Sequence, residues 1–240
     1  MAGKSVAIVQ SCYIPWKGYF DLIAGVDEFI LFDDRQFTRR DWRNRNRIKT
    51  PQGSRWLTIP VETKGRYHQR IDETAIVDPG WADRHWKSIR HTYASAPFFS
   101  DYRELLGELY RSSSERMLSL VNRRFLEAIC ELLGIQTVFS WSTDYEVEGK
   151  LTDRLVALCQ AAGATDYLSG PAARSYLDEP LFDDAGIRFS YMDYEGYPEY
   201  EQLYPPFEHA VTILDLILST GPDARRYMKS YAGVFSPHGA

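Results

Sequence analysis

Cysteine is scarce in this chain of 240 residues, which contains only three. Cys12, Cys130 and Cys159 are far apart, without the close cysteine and histidine spacing of a zinc site. Cys130 and Cys159 fall in apolar helical patterns, and we expect them to be core thiols. The odd count and the spacing indicate a reducing compartment and predict no metal site.

Long hydrophobic runs and net positive charge are also missing. No apolar run approaches the ~20 residues of a membrane span, and no charged-then-apolar signal opens the sequence. The formal net charge is −5, so nothing attracts the whole chain to nucleic acid or to an anionic membrane. We expect a cytoplasmic protein without membrane insertion. With 44% hydrophobic residues, the chain can bury the core of one domain spanning residues 1–240.

The negative average hides a basic segment. Six arginines and one lysine lie between Arg35 and Lys49, against the single acid Asp41. Guanidinium groups hold phosphate or carboxylate through paired hydrogen bonds, which favours a small anionic ligand. RNA is the alternative partner, because arginine beside an aromatic ring can clamp a base, and a solvated basic loop is the plainer alternative. The predicted substrate contacts in this segment are Arg39, Trp42, Arg43, Asn44, Arg45 and Asn46.

Hydrophobic periodicity predicts the fold. The apolar runs Ser5–Val9 and 28–32 read as buried strands, with helical spacing between them from Gly18 onward. Another strand is predicted at 56–61, and strands alternate with helices after residue 137. The pattern predicts a three-layer α/β fold with a mainly parallel sheet and a helical insertion at about residues 81–134. Residues 233–240 are predicted to be a frayed tail.

Polar or glycine residues follow each predicted strand. In parallel sheets such ends collect around one ligand crevice, so we expect Gln10, Asp33, Asp34, Ser169, Gly170 and Asp193 to share a site. Asp33 or Asp34 is the candidate base or Mg²⁺ ligand, although acids that close a strand also commonly just face water. At the predicted helix start, Lys17 is a candidate catalytic cation and Gly18 allows phosphate to approach the backbone.

Two further features leave alternatives open. The segment 193–202 is rich in tyrosine and acid, which suits a sugar or base bound by residues such as Tyr200 and Gln202, or a surface loop packed on the sheet. A helix N-terminus would lower the pKa of Cys12, but no base is near it in sequence. Pairing would need His85, His91 or His209, so we expect Cys12 to be dispensable.

A long motif resembles the WbqC-like family. It consists of Gln10-x-x-Tyr13-x-Pro15-x-x-Gly18-Tyr19-Phe20, Asp34-x-Gln36-Phe37 and Trp42-x-Asn44-Arg45-Asn46-x-Ile48, with later similarity at 167–171 and 213–216. The resemblance implies a biosynthetic transferase associated with O-antigen and other surface polysaccharides, in a family proposed to include glycine or aminoacyl transferases acting on amino sugars. It adds Tyr13, Tyr19 and Gln36 to the substrate-binding candidates and supplies no settled catalytic residue.

A second resemblance concerns the stretch from Val6 to Phe32. Their layout is similar to the opening βαβ unit of nucleotidylyltransferase-like (HUP-like) enzymes, including pantothenate-synthetase-type ligases. The ATP-binding His-x-Gly-His box of those enzymes corresponds here to Trp16-Lys17-Gly18-Tyr19, without either histidine. Lys17 and the arginines would then supply the positive charge for a triphosphate.

Three functions follow from the sequence. The first is transfer of a small aminoacyl group, such as glycyl, or an acyl group onto an amine of a phosphorylated or nucleotide-linked substrate, with tRNA or a carrier protein as the aminoacyl donor. The second is an ATP-dependent, adenylate-forming amide ligase that uses Mg²⁺. The third is a non-catalytic module that binds RNA or sugar.

Overall fold

The computed structural model describes residues 3–231. Within that range, the strands are β1 (Ser5–Val9), β2 (Glu28–Leu31), β3 (Arg45–Thr50), β4 (Gly53–Thr58), β5 (Val138–Trp141), β6 (Asp166–Ser169) and β7 (Arg188–Tyr191). The α-helices are α1 (Lys17–Ala24), α2 (Trp81–Tyr93), α3 (Phe99–Arg111), α4 (Leu118–Leu133), α5 (Leu151–Ala161), α6 (Pro180–Asp184) and α7 (Ile213–Thr220). Five strands form one parallel sheet in the order β5-β2-β1-β6-β7. The predicted three-layer, mainly parallel α/β fold is confirmed.

The alternation of side chains along the central strands distributes them between two apolar layers. Ala7 and Phe29 belong to the larger core cluster, which also contains residues of α1, α4 and α7. Their neighbours Ile8 and Ile30 belong to a second cluster with residues of α5 and α6. Successive residues of a strand face opposite sides, so both faces of the sheet are covered by helices.

The strand order reverses beside β1. β1 pairs with β2 on one side, from Val6 opposite Glu28 to Val9 opposite Leu31, and with β6 on the other. The chain moves outward from β1 to β2 and β5, then returns to build β6 and β7 on the opposite side. Such a reversal opens a crevice at the carboxyl ends of the two strands that flank it, here β1 and β6.

The helical insertion is present where the sequence predicts it, as α2, α3 and α4. α4 ends at Gly134, which adopts the left-handed conformation with φ of 58° that glycine tolerates. The insertion packs its aromatic side chains into the larger core cluster, where Trp81, Tyr110 and Phe125 are almost completely buried. It therefore extends the core on one face of the sheet.

Part of the basic segment forms a β-hairpin and is not the solvated loop that the sequence left open as an alternative. Arg45 begins β3, which pairs antiparallel with β4 in a hairpin outside the main sheet. The predicted strand at 56–61 starts earlier and ends at Thr58, because the turn before Gly53 sets the hairpin register. Ile48 and Leu57 face the core, so Arg45 and Arg47, which alternate with the buried residues of β3, lie on the other face of the hairpin.

None of the helices in residues 3–231 is both long enough and apolar enough to cross a bilayer. The predicted frayed tail, residues 233–240, lies outside the described residues. A single domain over residues 1–240 stays a prediction.

Candidate functional site

A crevice of about 400 Å³ opens at the carboxyl ends of β1 and β6. Its walls include Gln10 after β1 and Ser169 and Gly170 at the end of β6, which the sequence predicted to lie together. Two arginines of the basic segment, Arg35 and Arg43, also line it. This crevice therefore combines polar strand ends with two guanidinium groups.

Arg43 is held in place by the loop that follows β1. Its Nη1 donates to the Gln10 carbonyl oxygen at 3.0 Å and to Cys12 Sγ at 2.9 Å. Asp41 lies 3.7 Å from its Nη2. These contacts fix the guanidinium at the wall of the crevice, which a flexible surface arginine would not achieve.

Arg35 has hydrogen-bonding capacity to spare. Its guanidinium stacks 4.3 Å from the centre of the Phe32 ring, and its Nε lies 3.6 Å from Asp34 Oδ1. The Nη2 atom of Arg35 is buried and has no hydrogen-bond partner anywhere in residues 3–231. An unpaired buried donor is costly, so an oxygen of a bound anion would be favourable at this position.

The two predicted catalytic aspartates do not line the crevice. Asp33 is 1% exposed and accepts hydrogen bonds from the backbone N of Ser11 at 2.7 Å and its Oγ at 2.6 Å. Burial raises the pKa of Asp33 to about 6, against the effect of these hydrogen bonds. Asp34 accepts from Ser142 Oγ at 3.0 Å and is paired with Arg154. Within residues 3–231, no His, Cys, Asp and Glu side chains cluster as metal ligands.

A second cavity of about 520 Å³ adjoins the crevice, and we call it the aromatic cavity. Its rings belong to Trp16, Tyr19, Trp42, Tyr194, Tyr197 and His209. Tyr19 and Tyr194 line the crevice as well, so they form a wall common to both spaces. The tip of Tyr194 reaches the crevice, since its Oη lies 3.9 Å from where a Cβ would stand at Gly170.

The walls of the aromatic cavity are held by tight packing. The Trp16 ring contacts the rings of Tyr194 and Tyr197 edge-on, at centroid distances of 5.1 and 5.6 Å. A Cβ at Gly18 would stand 2.3 Å from the Trp16 ring, so only glycine fits there. Tyr197 donates from its hydroxyl to the fully buried Asp21 at 2.5 Å.

Comparison with known proteins supports a family assignment. The model of the WbqC-like protein family matches residues 10–227, which include the whole lining of the aromatic cavity and that of the crevice except Ile8 and Val9. The chain belongs to this family. It is also similar to a protein of Mycobacterium tuberculosis (strain ATCC 25618 / H37Rv) named "Uncharacterized protein Rv1507c", with 54% identity over 226 residues that cover 94% of this chain and 98% of that protein. No solved structure matches the chain significantly. Family membership associates the chain with biosynthetic enzymes.

Lys17 of this WbqC-like protein begins α1, as predicted, but is only 3% exposed. Its Nζ donates to the Pro198 carbonyl oxygen at 2.7 Å and lies 5.2 Å from the ring centres of Tyr197 and Tyr200. Burial lowers the pKa of Lys17 to about 8, although Asp21 and Glu199 act in the opposite direction. Lys17 lies behind the wall of the aromatic cavity.

Cys12 lines the aromatic cavity and is 6% exposed. Burial raises the pKa of its thiol to about 11, despite the nearby Arg43 charge. The expected decrease in pKa at the helix start is therefore wrong, because α1 begins five residues later and the burial of the sulfur outweighs the Arg43 charge. His85 does not serve as its base, since that ring bonds to Tyr13 and to the Thr58 carbonyl oxygen.

Several residues of the WbqC-like motif hold the backbone. Tyr13 is fully buried, and its hydroxyl lies 2.7 Å from that of Tyr110. Asn44 donates to the Ile59 carbonyl oxygen at 2.8 Å. Asn46 donates to the carbonyl oxygens of Tyr13 and Ile14, at 3.1 and 2.9 Å, and also borders the aromatic cavity. Tyr19 donates to the Gln10 carbonyl oxygen at 2.9 Å and lines both cavities.

Other predicted substrate contacts lie outside both cavities. Arg45 stacks 4.1 Å from the Trp56 ring on the hairpin. Gln36 donates to the Tyr67 carbonyl oxygen at 2.8 Å, and Arg39 bonds to that of Thr63. The outward alternation along β3 carries Arg45 away from the crevice, and the 35–43 turn carries only Arg35 and Arg43 to it.

The predicted binding residues after position 190 instead make contacts that hold the C-terminal part of the described chain in place. Asp193 is exposed and pairs with Lys229 at 2.7 Å. Tyr200 and Gln202 donate to the buried Asp215 of α7, at 2.7 and 3.0 Å. Binding roles for these three residues stay predictions, since none of them lines either cavity.

Several residues that line the cavities are not among the contacts predicted from the sequence. Arg35 was visible only as part of the charge excess, and Tyr194 and Tyr197 only as part of the tyrosine-rich segment. Trp16 lies within the motif at one of its variable positions. The sequence indicated His209 only as a partner for Cys12, because its place at the aromatic cavity depends on the fold of residues 198–212.

Proposed function

We propose that this protein is a biosynthetic transferase. It moves a small aminoacyl group, such as glycyl, or an acyl group onto an amine. The amine belongs to a nucleotide-linked substrate such as an amino sugar. The observation that carries the proposal is the pair Arg35 and Arg43 at the crevice, with Arg35 Nη2 buried and unpaired in the described residues. In this proposal the crevice holds the phosphates of the substrate.

Phosphate suits this crevice for two reasons. Guanidinium groups match the oxygens of phosphate in pairs, and ligands of open parallel sheets bind at the strand-order reversal. Among residues 3–231, the acid paired with Arg35 is Asp34, which is already paired with Arg154. A phosphate would therefore meet an excess of positive charge.

A transferase also needs space for two groups, and two adjoining cavities offer it. The amine nitrogen would attack the carbonyl carbon of the donor, so that the C–N bond forms and the bond to the leaving group breaks. The leaving group departs with the electrons of the broken bond and takes up the proton that the nitrogen loses. Reaction would take place near Tyr19 and Tyr194, where the two spaces meet.

In this proposal Asp33 and Asp34 position the crevice. Asp33 fixes Ser11, and with it the loop whose carbonyl groups hold Arg43. Asp34 lies against Arg35 and Arg154. Their carboxylates are thus already engaged by the protein, which fits Mg²⁺ ligation poorly.

A ligand screen by thermal shift tests the proposal, with nucleotide sugars, ATP and acetyl-CoA as probes. A ligand at 100 times its dissociation constant adds about 2.7 kcal/mol of stability, or roughly 5–10 °C in Tm for a chain of this size. Arg35→Met keeps the packing on Phe32 and removes the charge. We expect it to weaken binding of a phosphorylated ligand about 10- to 150-fold.

Arg84→Met is the matched control. Arg84 is an exposed arginine of α2 whose partner is Asp78, outside both cavities. Equal affinity of the Arg35 and Arg84 variants for every phosphorylated probe would contradict a phosphate site in the crevice. Stabilisation by ATP and the amino acid together, with release of pyrophosphate, would identify the amide ligase instead.

An RNA-binding module is the second candidate, and the hairpin is the observation that favours it. Trp42 and Trp56 are 38% and 41% exposed and lie 5.1 Å apart, flanked by Arg45 and Arg47. Exposed rings beside arginines can stack on the bases of a single strand. Micromolar binding of an oligonucleotide with a steep salt dependence would favour this function over the transferase.

A further inference from the structure

We propose that the aromatic cavity is a subsite for a neutral planar ring with a hydrogen-bonding edge, the chemistry of a nucleobase. The inference rests on the proposed function, because it assigns the ring and the phosphates of one substrate to the two adjoining spaces. The shared wall of Tyr19 and Tyr194 lets one ligand extend from the crevice into this cavity.

The composition of the wall selects against charged groups. No aspartate, glutamate, lysine or arginine is among the described residues that line the cavity. A cation would also be repelled by Lys17 behind the Tyr197 ring and by Arg43 beside Cys12. An anion would find the arginines of the crevice more favourable, since the aromatic faces that line this cavity carry partial negative charge.

The ring surfaces are fixed before any ligand binds. Trp16 is wedged over Gly18 and between the edges of Tyr194 and Tyr197. Tyr197 is anchored by Asp21, which also accepts from the backbone N of Lys229 and Ser230, each at 2.7 Å. A rigid set of flat walls favours a flat ligand, because little conformational entropy is lost on binding.

One polar atom at the cavity lacks a partner. The Nδ1 of His209 is buried and has no hydrogen-bond partner within residues 3–231. Burial and the nearby Lys17 charge lower the pKa of His209, which favours the neutral ring, and a neutral imidazole can pair with the edge of a base. An alkyl chain would fill the same space without satisfying this atom, which is why a nucleobase-like ring fits better.

Calorimetric titration of the full chain with phosphate-free probes tests the subsite. The probes are uridine and adenosine for a nucleobase, tryptophanamide for the ring of an aminoacyl donor, and hexanol for an alkyl chain. We expect nucleosides to bind, and Tyr194→Leu to weaken them about 5- to 150-fold, since stacking on one aromatic side chain has that effect. Tyr194→Phe keeps the ring and retains binding.

Two further variants separate loss of the subsite from loss of the fold. Trp42→Leu changes a ring that is 38% exposed at the cavity and should also weaken nucleosides. Tyr67→Leu is the matched control, because Tyr67 is 72% exposed and lines neither cavity. Melting curves recorded for each variant show whether the protein is folded.

The outcomes are distinct. Binding of tryptophanamide in place of nucleosides, with the same dependence on Tyr194, supports the subsite and assigns its ring to the aminoacyl donor. Failure of every ring probe to bind, binding of hexanol alone, or equal effects of Tyr194→Leu and Tyr67→Leu overturns the subsite. A nucleoside that binds here while its diphosphate binds no tighter supports the ring subsite and contradicts the phosphate crevice of the proposed function.

Discussion

The crevice and the aromatic cavity share two tyrosines but are built in different ways. Strand ends and two arginines line the crevice, whereas rings from four separate segments enclose the aromatic cavity. A pair of fixed charges can attract an anion with few contacts. Ring recognition needs several walls at set angles, so the aromatic cavity depends more on the remainder of the fold.

The two buried carboxylates beside these spaces, Asp33 at the crevice and Asp21 at the aromatic cavity, also differ in how far along the chain their contacts reach. Asp33 holds the Ser11 loop beside the crevice through contacts 22 residues apart in sequence. Asp21 connects Tyr197 to residues 229 and 230, which are 208 and 209 positions further along the chain. Asp33 thus connects two neighbouring strand ends beside the crevice, whereas Asp21 connects a wall of the aromatic cavity to the C-terminal segment.

The largest effect is expected for Asp21→Ala. It leaves the hydroxyl of Tyr197 and the backbone N–H groups of Lys229 and Ser230 without an acceptor. Each hydrogen bond to a charged group contributes about 1.5–3 kcal/mol, so we expect a loss of at least about 3 kcal/mol in the free energy of unfolding. Urea denaturation measures this loss.

Glu127→Ala is the control, since Glu127 is an α4 residue whose side chain is 47% exposed and pairs with Arg123. Such exposed pairs contribute about 0.3–0.5 kcal/mol. If Asp21→Ala costs no more than the control, Asp21 does not support the aromatic cavity. Loss of ring binding together with full phosphate binding in the folded variant would sharpen the contrast between the two cavities.

Lys17→Met tests how the buried ammonium group of Lys17, behind the wall of the aromatic cavity, affects the stability of the protein. The folded-state pKa is about 8 and the ordinary value is 10.5, so between these values the unfolded chain binds more protons than the folded protein. The stability of the wild type relative to Lys17→Met should therefore rise with pH from 8 to 10.5, by on the order of 3 kcal/mol. Urea denaturation of both proteins at pH 7.5–10.5 measures the difference, and a difference that does not change with pH would contradict the buried lysine.

Arg45→Ala tests whether an arginine of the basic segment that lies outside the crevice also binds the substrate. Arg45 stacks on the exposed Trp56, and such a contact contributes about 0.5–1 kcal/mol. We expect that small loss of stability and unchanged affinity for phosphorylated ligands. A loss of about 1.5–3 kcal/mol in binding, with no rescue by Arg45→Lys, would instead assign Arg45 to the substrate.

The smallest effect is expected for Cys12→Ser. Burial raises the thiol pKa to about 11, so almost no thiolate forms at pH 7, and turnover should be unchanged. Rates of iodoacetamide labelling followed by mass spectrometry should show slow modification of Cys12 in the folded protein. A covalent intermediate trapped on Cys12 during turnover would make the wall of the aromatic cavity a nucleophilic site.

Much of the crevice was predictable because it follows strand ends. The apolar runs at 5–9 and 28–32 indicated buried parallel strands. Gln10 then lies near Ser169 because β6 pairs with β1 in the sheet. The charge excess indicated the segment that contains Arg43. It did not single out Arg35 over Arg45, because the turn and hairpin between them decide which arginine reaches the crevice.

The sequence by itself determined the α/β layering, the helical insertion and the family, since apolar periodicity and a contiguous motif are local properties. Only the tertiary structure decided the role of Lys17, whose Nζ bonds to a residue 181 positions away. The same is true of the aromatic cavity, whose walls come from residues 12–19, 42–46, 194–197 and 209–210. Contacts at such separations follow from how helices and strands pack, which no local pattern encodes.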